Sequence, residues 1–236
     1  MHVLQVHNTY QQAGGEDVVV SSEQALLKKY RHQVSQYFVS NDLINGAFQK
    51  IITAFQTPYS PEAKKRFARE IAALGPDIVH VHNTFPLLTP SIYDACREAG
   101  VPVVQTLHNY RNICANALLM RNGRPCEDCI GGSPYQAVLH RCYRGSRMGS
   151  LAVARMIDVH SRKGTWNTKV DRFIALTEFA KAKFIEAGFR ETQIAVKSNF
   201  VELSETHMTD PIPRNSALFV GRLSEEKGIH TLLRAW

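Results

Sequence analysis

Apolar and polar positions alternate along the chain in two rhythms. Short, nearly continuous apolar runs such as "HVLQVH" (His2 to His7), "PDIVHVH" (Pro76 to His82) and "VPVVQTLH" (Val101 to His108) read as buried strands. Between and around them, "GEDVVVSSEQALLKKY", "EAKKRFAREIAAL", "SIYDACREAG" and "EFAKAKFIEAG" space their apolar residues as helices do. Ser60-Pro61 and Thr89-Pro90 each set a capping hydroxyl before a proline, which predicts a helix start. "HQVSQYFVS", "VDRFIALT" and "IAVKSNF" predict three more strands. This alternation predicts an α/β fold on a doubly wound, Rossmann-like parallel sheet.

Pro211 and Pro213 mark 202–216 as a linker. After it, "ALFVGRLSEEKGIHTLLRAW" repeats the order: a strand from Ala217 to Val220, a loop with Arg222 and Lys227, then a helix to Trp236. The predicted organisation is one α/β domain over 1–201, with an irregular cysteine-bearing insertion near 110–145. A linker over 202–216 leads to the start of a second α/β domain over 217–236.

Composition adds little to this, and charge adds more. With 44% hydrophobic and 21% charged residues, the chain is globular rather than disordered. No apolar run approaches the roughly 20 residues that cross a bilayer, and the N-terminus lacks the flank and core of a signal peptide. The expectation is a soluble, cytoplasmic protein, at most peripheral to the inner face of a membrane. The net charge is +7, and Arg141, Arg144, Arg147, Arg155, Arg162, Lys163, Lys169 and Arg172 stand against only Asp158 and Asp171 in one segment. Such a segment attracts an anionic acceptor or an anionic membrane surface, and equally suits a solvated face. Nucleic acid is not expected, because no recognition motif accompanies the charge. From Ser146 the pattern places Met148, Ala152, Met156 and Val159 on one helical stripe between these cations.

Three predicted strands end alike: "VHNTY", "VHNTF" and "LHNYR". Ligands of open parallel sheets bind outside the carboxyl ends of the strands, so His7, His82 and His108 are expected at a ligand-facing rim. His80, further inside, is expected to be structural. Three imidazoles suggest a metal, but the sequence lacks the tight spacing or added carboxylate of catalytic metal sites. Gly14-Gly15 opens the first helix, where glycine permits close approach and the helix N-terminus favours an anion. It is not a full dinucleotide fingerprint, and a plain tight turn reads the same way.

Four of the five cysteines, Cys114, Cys126, Cys129 and Cys142, lie in the irregular stretch. Asn122-Gly123 is a hairpin signal, and it feeds C-x-x-C followed by glycine, which resembles a zinc knuckle. Cys114 and Cys142 lie 12 and 13 residues to either side. The spacing suits a structural zinc bound by four sulfurs, and it also suits unliganded thiols. A disulfide framework is disfavoured in a reducing compartment. Cys96, in an amphipathic helix, is expected in the core.

"FVGRLSEEKGIHTLLRAW" closely resembles the start of the donor domain in family 4 glycosyltransferases of the GT-B fold. "PDIVHVHN", "VVQTLHNY", "FIALTEFAKAKFIEAGF" and "VKSNFVE" match that family's acceptor domain in order. The resemblance implies two Rossmann-like domains across a cleft and transfer of a sugar from a nucleotide-sugar to a glycan or lipid-linked acceptor. It further implies retention at the anomeric carbon and no catalytic metal. By position it implies that Arg222 and Lys227 clamp the donor diphosphate, where fixed cations stabilise developing negative charge. It implies that Gly15, beside Gly14, approaches the donor phosphates, and that His108, followed by Asn109, faces the transferred sugar. Asn199 falls in the segment that bridges the domains. The family's Glu-x7-Glu pair and base pocket fall beyond Trp236, so the expectation is a truncated acceptor half, inactive alone, served by a separate chain carrying the donor domain. The competing expectation is a non-catalytic, metal-stabilised module that binds an anionic glycan or lipid phosphate.

Overall fold

The computed structural model describes residues 1–10, 14–201, 217–221, 223 and 225–236. The predicted linker, 202–216, and Arg222 lie outside the described residues. In chain order the first elements are β1 (His2–Thr9), α1 (Gly15–Lys29), β2 (Gln33–Ser40), α2 (Gly46–Gln56), α3 (Pro61–Leu74), β3 (Ile78–Asn83), α4 (Ile92–Glu98) and β4 (Val103–Leu107). Then come β5 (Met120–Arg121), β6 (Arg124–Pro125), α5 (Gln136–Leu139), α6 (Arg147–Arg162), α7 (Thr165–Lys169), β7 (Arg172–Ala175), α8 (Glu178–Glu186), β8 (Ile194–Val196) and α9 (Ile229–Ala235). Among the described residues, no helix is long and apolar enough to cross a membrane.

Six strands form one sheet in the order β2-β1-β3-β4-β7-β8, and every pairing is parallel. Strand β1 lies inside the sheet, one strand from its edge, and is buried from Val3 to Asn8, which is why its sequence is apolar with little alternation. The chain steps from β1 to β2 on one side, then returns to place β3 and its successors on the other. That reversal makes the carboxyl ends of β1 and β3 the switch point of the sheet. The register slips there: Val6 pairs with Val81, but His7 pairs with Asn83, leaving His82 as the extra residue. A bulge of this kind re-aims the side chains around it.

The main core joins Leu4, Val6, Val79, Val81 and Phe173 of the sheet to Phe67, Ile71, Ile92, Tyr93 and Phe184 of the helices. Cys96 is buried in it, as expected, and burial pushes its thiol up to about 12. A smaller cluster of Phe85, Ala115, Ala137, Val153, Met156 and Ile157 seats the insertion on α6.

Local signals predict some boundaries and miss others. Ser60 caps α3, its Oγ accepting from the Ala63 N–H at 3.2 Å, and Gly75 ends that helix with a φ of 56°. Thr89 is not a cap: it has a φ of 57°, and its hydroxyl accepts from the N–H groups of Ser60 and Ser91 instead. The stripe expected on α6 is rotated. Ser150, Val153, Ala154, Met156, Ile157 and His160 face inward, while Met148 is 59% exposed. The reason is that the two polar residues find partners inside. Ser150 Oγ accepts from the Tyr143 N–H at 3.0 Å, and His160 Nε2 donates to the Pro58 carbonyl at 2.6 Å. Among the described residues Ala217 to Val220 pair with no other strand, and Leu218 and Val220 are exposed.

Candidate active site

His7, His82 and His108 sit at the carboxyl ends of β1, β3 and β4, around the switch point. His82 Nδ1 lies 3.0 Å from His108 Nε2, with ring centroids 5.3 Å apart. His7 meets His82 edge-on at 6.3 Å, and its Nε2 lies 2.9 Å from Asp17 Oδ1. His80 lies one step inside, its ring 4.2 Å from that of His82 and its Nε2 2.9 Å from Thr106 Oγ1. Each of His7, His82 and His108 spends one nitrogen within the chain, while His7 Nδ1 and His82 Nε2 are buried without a hydrogen-bond partner among the described residues.

Burial dominates the electrostatics here. It holds His7, His80 and His82 below the ordinary histidine range, and it brings His108 to about 4, helped by the charges His7 and His80 would carry. All four are neutral imidazoles at neutral pH.

Under the histidines lies Glu23, buried on the inner face of α1 with Val19 and Val20. Its Oε1 is 2.5 Å from Lys197 Nζ, and its Oε2 is 3.6 Å from both His80 Nδ1 and His82 Nε2. Among the described residues, Glu23, His80 and His82 bring metal-ligating atoms within 4.8 Å of one another. Lys197 already supplies the counter-cation from within the chain. The carboxylate favours a proton on His82 Nε2, so that Nδ1 accepts and His108 Nε2–H donates. We assign the tautomers from this network. His108 Nδ1 is then an acceptor.

The first turn of α1 ties the rim together. Asp17 accepts from the Gly14 N–H at 2.7 Å while holding His7, and Glu16 accepts from Asn109 Nδ2 at 2.8 Å. Asn109 Oδ1 in turn accepts from the Arg111 N–H at 2.9 Å. Burial raises the pKa of Glu16. Gly14 and Gly15 have ordinary backbone geometry, and a Cβ on Gly15 would meet nothing within 4 Å. Among the described residues, packing therefore gives no reason for glycine at that position. Asn199 is exposed, two residues beyond Lys197, and Lys227 is exposed on a short 3-10 turn, Glu225–Lys227.

Sequence reasoning missed Glu23, Glu16, Asp17 and Lys197. Glu23 left a trace, as the one carboxylate in the inward Val19-Val20-Glu23 spacing. Lys197 left none, because its partner lies 174 residues away.

The insertion places Cys114, Cys126, Cys129 and Cys142 around one small cavity, and all are free thiols. Burial, then the neighbouring Cys114, Cys142 and Cys126, pushes Cys129 up to about 12. Arg111 fastens the insertion to the site. Its buried guanidinium lies 4.7 Å from the Phe85 ring and 5.1 Å from that of Tyr143, and it donates to the Ala115 carbonyl.

No curated protein matches the chain. Among solved structures, Anabaena Alr3699/HepE in complex with UDP aligns at 14% identity and a TM-score of 0.43, over 86% of this chain and 45% of that one. The UDP-GlcNAc 2-epimerase of Methanocaldococcus jannaschii aligns at 12% and 0.44, over 83% and 45%. The lipopolysaccharide outer core galactosyltransferase WaaB aligns at 10% and 0.45, over 92% and 50%. The chain thus spans about half the length of these structures. The family model described as Glycosyltransferase Family 4 matches residues 1–205, which include every histidine of the rim. The chain belongs to glycosyltransferase family 4.

Proposed function

We propose that this chain provides the acceptor-side half of a glycosyltransferase that moves a sugar from a nucleotide-sugar to a glycan or lipid-linked acceptor, with retention. The observation that carries the reading is the uncharged pair of buried His82 and half-buried His108 at the switch point of a family 4 chain. A neutral His108 can accept a hydrogen bond from a sugar hydroxyl and so orient it, which is a large part of catalysing transfer. The departing diphosphate needs cations, a role given to Lys227 and Arg222 by the family pattern. No described residue lies within 4 Å of where a Cβ on Gly15 would stand, which suits close approach of the donor phosphates to α1.

The test joins this chain to a family 4 donor domain and follows nucleoside diphosphate release from a panel of nucleotide-sugars. Acceptor-dependent release, lost in His108→Ala while donor binding is kept, is the expected result. The 236-residue chain alone is expected to turn over far below about 1 per second, the low end of ordinary enzymes. Acceptor binding without transfer in the joined protein would replace this reading with that of a binding module.

A further inference from the structure

We propose that Cys114, Cys126, Cys129 and Cys142 form a structural site for one zinc-class divalent ion held by four thiolates. The four residues come from three separate stretches of chain and line one cavity of about 20 Å³. A space of that size admits about one water-sized guest, and so an ion rather than a sugar or nucleotide. With four protein sulfurs the coordination shell is complete, leaving no open position for substrate. The inference stands apart from the glycosyltransferase reading.

Backbone geometry brings the sulfurs together. Asn122 and Gly123, with φ of 52° and 72°, form the tight turn between β5 and β6, both in the left-handed region such a turn requires. The Cys126 N–H then donates to Leu119 O at 2.8 Å, and the Ile130 N–H to Glu127 O at 2.8 Å, which folds the C-x-x-C back on itself. Gly132 closes that turn: a Cβ there would stand 2.5 Å from the Asp128 carbonyl oxygen. Cys114 and Cys142 arrive on turns of their own, their N–H groups bonded to Tyr110 O at 2.7 Å and Ala137 O at 3.0 Å.

The insertion also needs a staple. Between Leu107 and Arg147 the regular elements are two strands of two residues and one helix of four. Three of the apolar residues buried there are alanines, Ala115, Ala117 and Ala137. So small and loop-rich a unit is usually held by a disulfide or a metal. Zinc–sulfur bonds of about 2.3 Å set sulfurs about 3.8 Å apart. The cysteines form no group of three with ligand atoms within 4.8 Å of one another, so the proposal requires the sulfurs to move together when the ion binds. Arg121 and Asp128, paired at 2.7 Å, also line the cavity and add no net charge to it.

The full chain, purified reduced, is titrated with Co²⁺ and then Zn²⁺. We expect one equivalent of cobalt per chain, with the sulfur-to-metal charge-transfer bands of a tetrahedral site, displaced by one equivalent of zinc. Cys96→Ser should leave this unchanged, and Cys129→Ser should weaken binding by about tenfold or more. Should Cys129→Ser not fold, alkylation of the native chain decides: zinc should protect Cys126, Cys129 and Cys142. Absent charge-transfer bands, alkylation indifferent to zinc, or recovery of the four thiols as two disulfides would each overturn the proposal.

Discussion

His82 Nδ1 and His108 Nε2 face each other across 3.0 Å, so the two imidazoles share one proton and each fixes the tautomer of the other. Glu23, 3.6 Å from the far nitrogen of His82, biases which way that proton lies. The chain Lys197–Glu23–His82–His108 thereby connects the end of β8 to the end of β4 through the floor of the site. At 3.6 Å Glu23 Oε2 makes no hydrogen bond to His82 Nε2, so the carboxylate biases the partly exposed His108 through its charge alone.

Glu23→Gln should reverse that bias. The glutamine amide can donate to His82 Nε2, which puts the proton on Nδ1 and turns His108 Nε2 from donor to acceptor. Nitrogen NMR of labelled histidine is expected to show the Nε2–H form of His82 in the parent and the Nδ1–H form in the variant. An unchanged tautomer would remove Glu23 from the network. Stability should fall by about 1–3 kcal/mol, because Lys197 loses its charged partner.

His82→Ala should lower kcat in the joined enzyme by about tenfold or more, with a smaller effect on KM. The variant leaves His108 without the group that orients it, and the loss is of positioning. His82→Asn, which keeps a polar partner near His108, should recover part of the rate. Equal losses in both variants would point to simple unfolding, which thermal melts would show directly.

Acid should unfold the domain early. Unfolded histidines take up protons near pH 6.5, whereas burial delays His108 until about pH 4 and lowers His7, His80 and His82 as well. Below about pH 6.5 the unfolded state therefore binds more protons and stability falls as the pH falls, with a slope approaching about 1.4 kcal/mol per unit for His108 between pH 6.5 and about 4. Glu16, raised by burial, opposes this as a single group. Denaturant midpoints are expected to drop steadily from pH 7 to pH 4. Flat midpoints over that range would mean the rim histidines are hydrated.

Arg111→Lys should loosen the insertion without unfolding the sheet. The planar guanidinium packs against Phe85 and Tyr143 and donates to Ala115, a combination an ammonium cannot reproduce. A local cost of about 1–3 kcal/mol is expected. Limited proteolysis should then cut between β4 and α6 faster than in the parent, while the melting of the sheet shifts little.

Much of the fold was legible because the signals are local. The β1, β3 and β4 segments announce burial by their apolar runs, Ser60-Pro61 marks α3, and Asn122-Gly123 marks the hairpin. The repeated His-Asn ending pointed to the rim because a parallel sheet puts every strand's carboxyl end on one side. Helix α2 was not anticipated: Asn45 makes no side-chain cap bond, and Phe48, Ile51 and Phe55 lie in solvent, so neither cap nor buried stripe declares it. The α6 stripe was misplaced because hydrophobicity alone does not tell a satisfied inward serine or histidine from a solvated one.

The sequence by itself determined the alternation of strand and helix, the placement of histidines at strand ends and the spacing of the four cysteines. These depend on backbone geometry repeating every two or every 3.6 residues, or on turns a few residues long. Only the tertiary structure decided that β1 and β3 are neighbours, that His82 is the bulged residue, and that Glu23 meets Lys197 across 174 residues of chain. It alone showed Cys114, Cys126, Cys129 and Cys142 lining one cavity. Contacts of that range come from the packing of whole elements in three dimensions, and no local pattern records which partners that packing brings together.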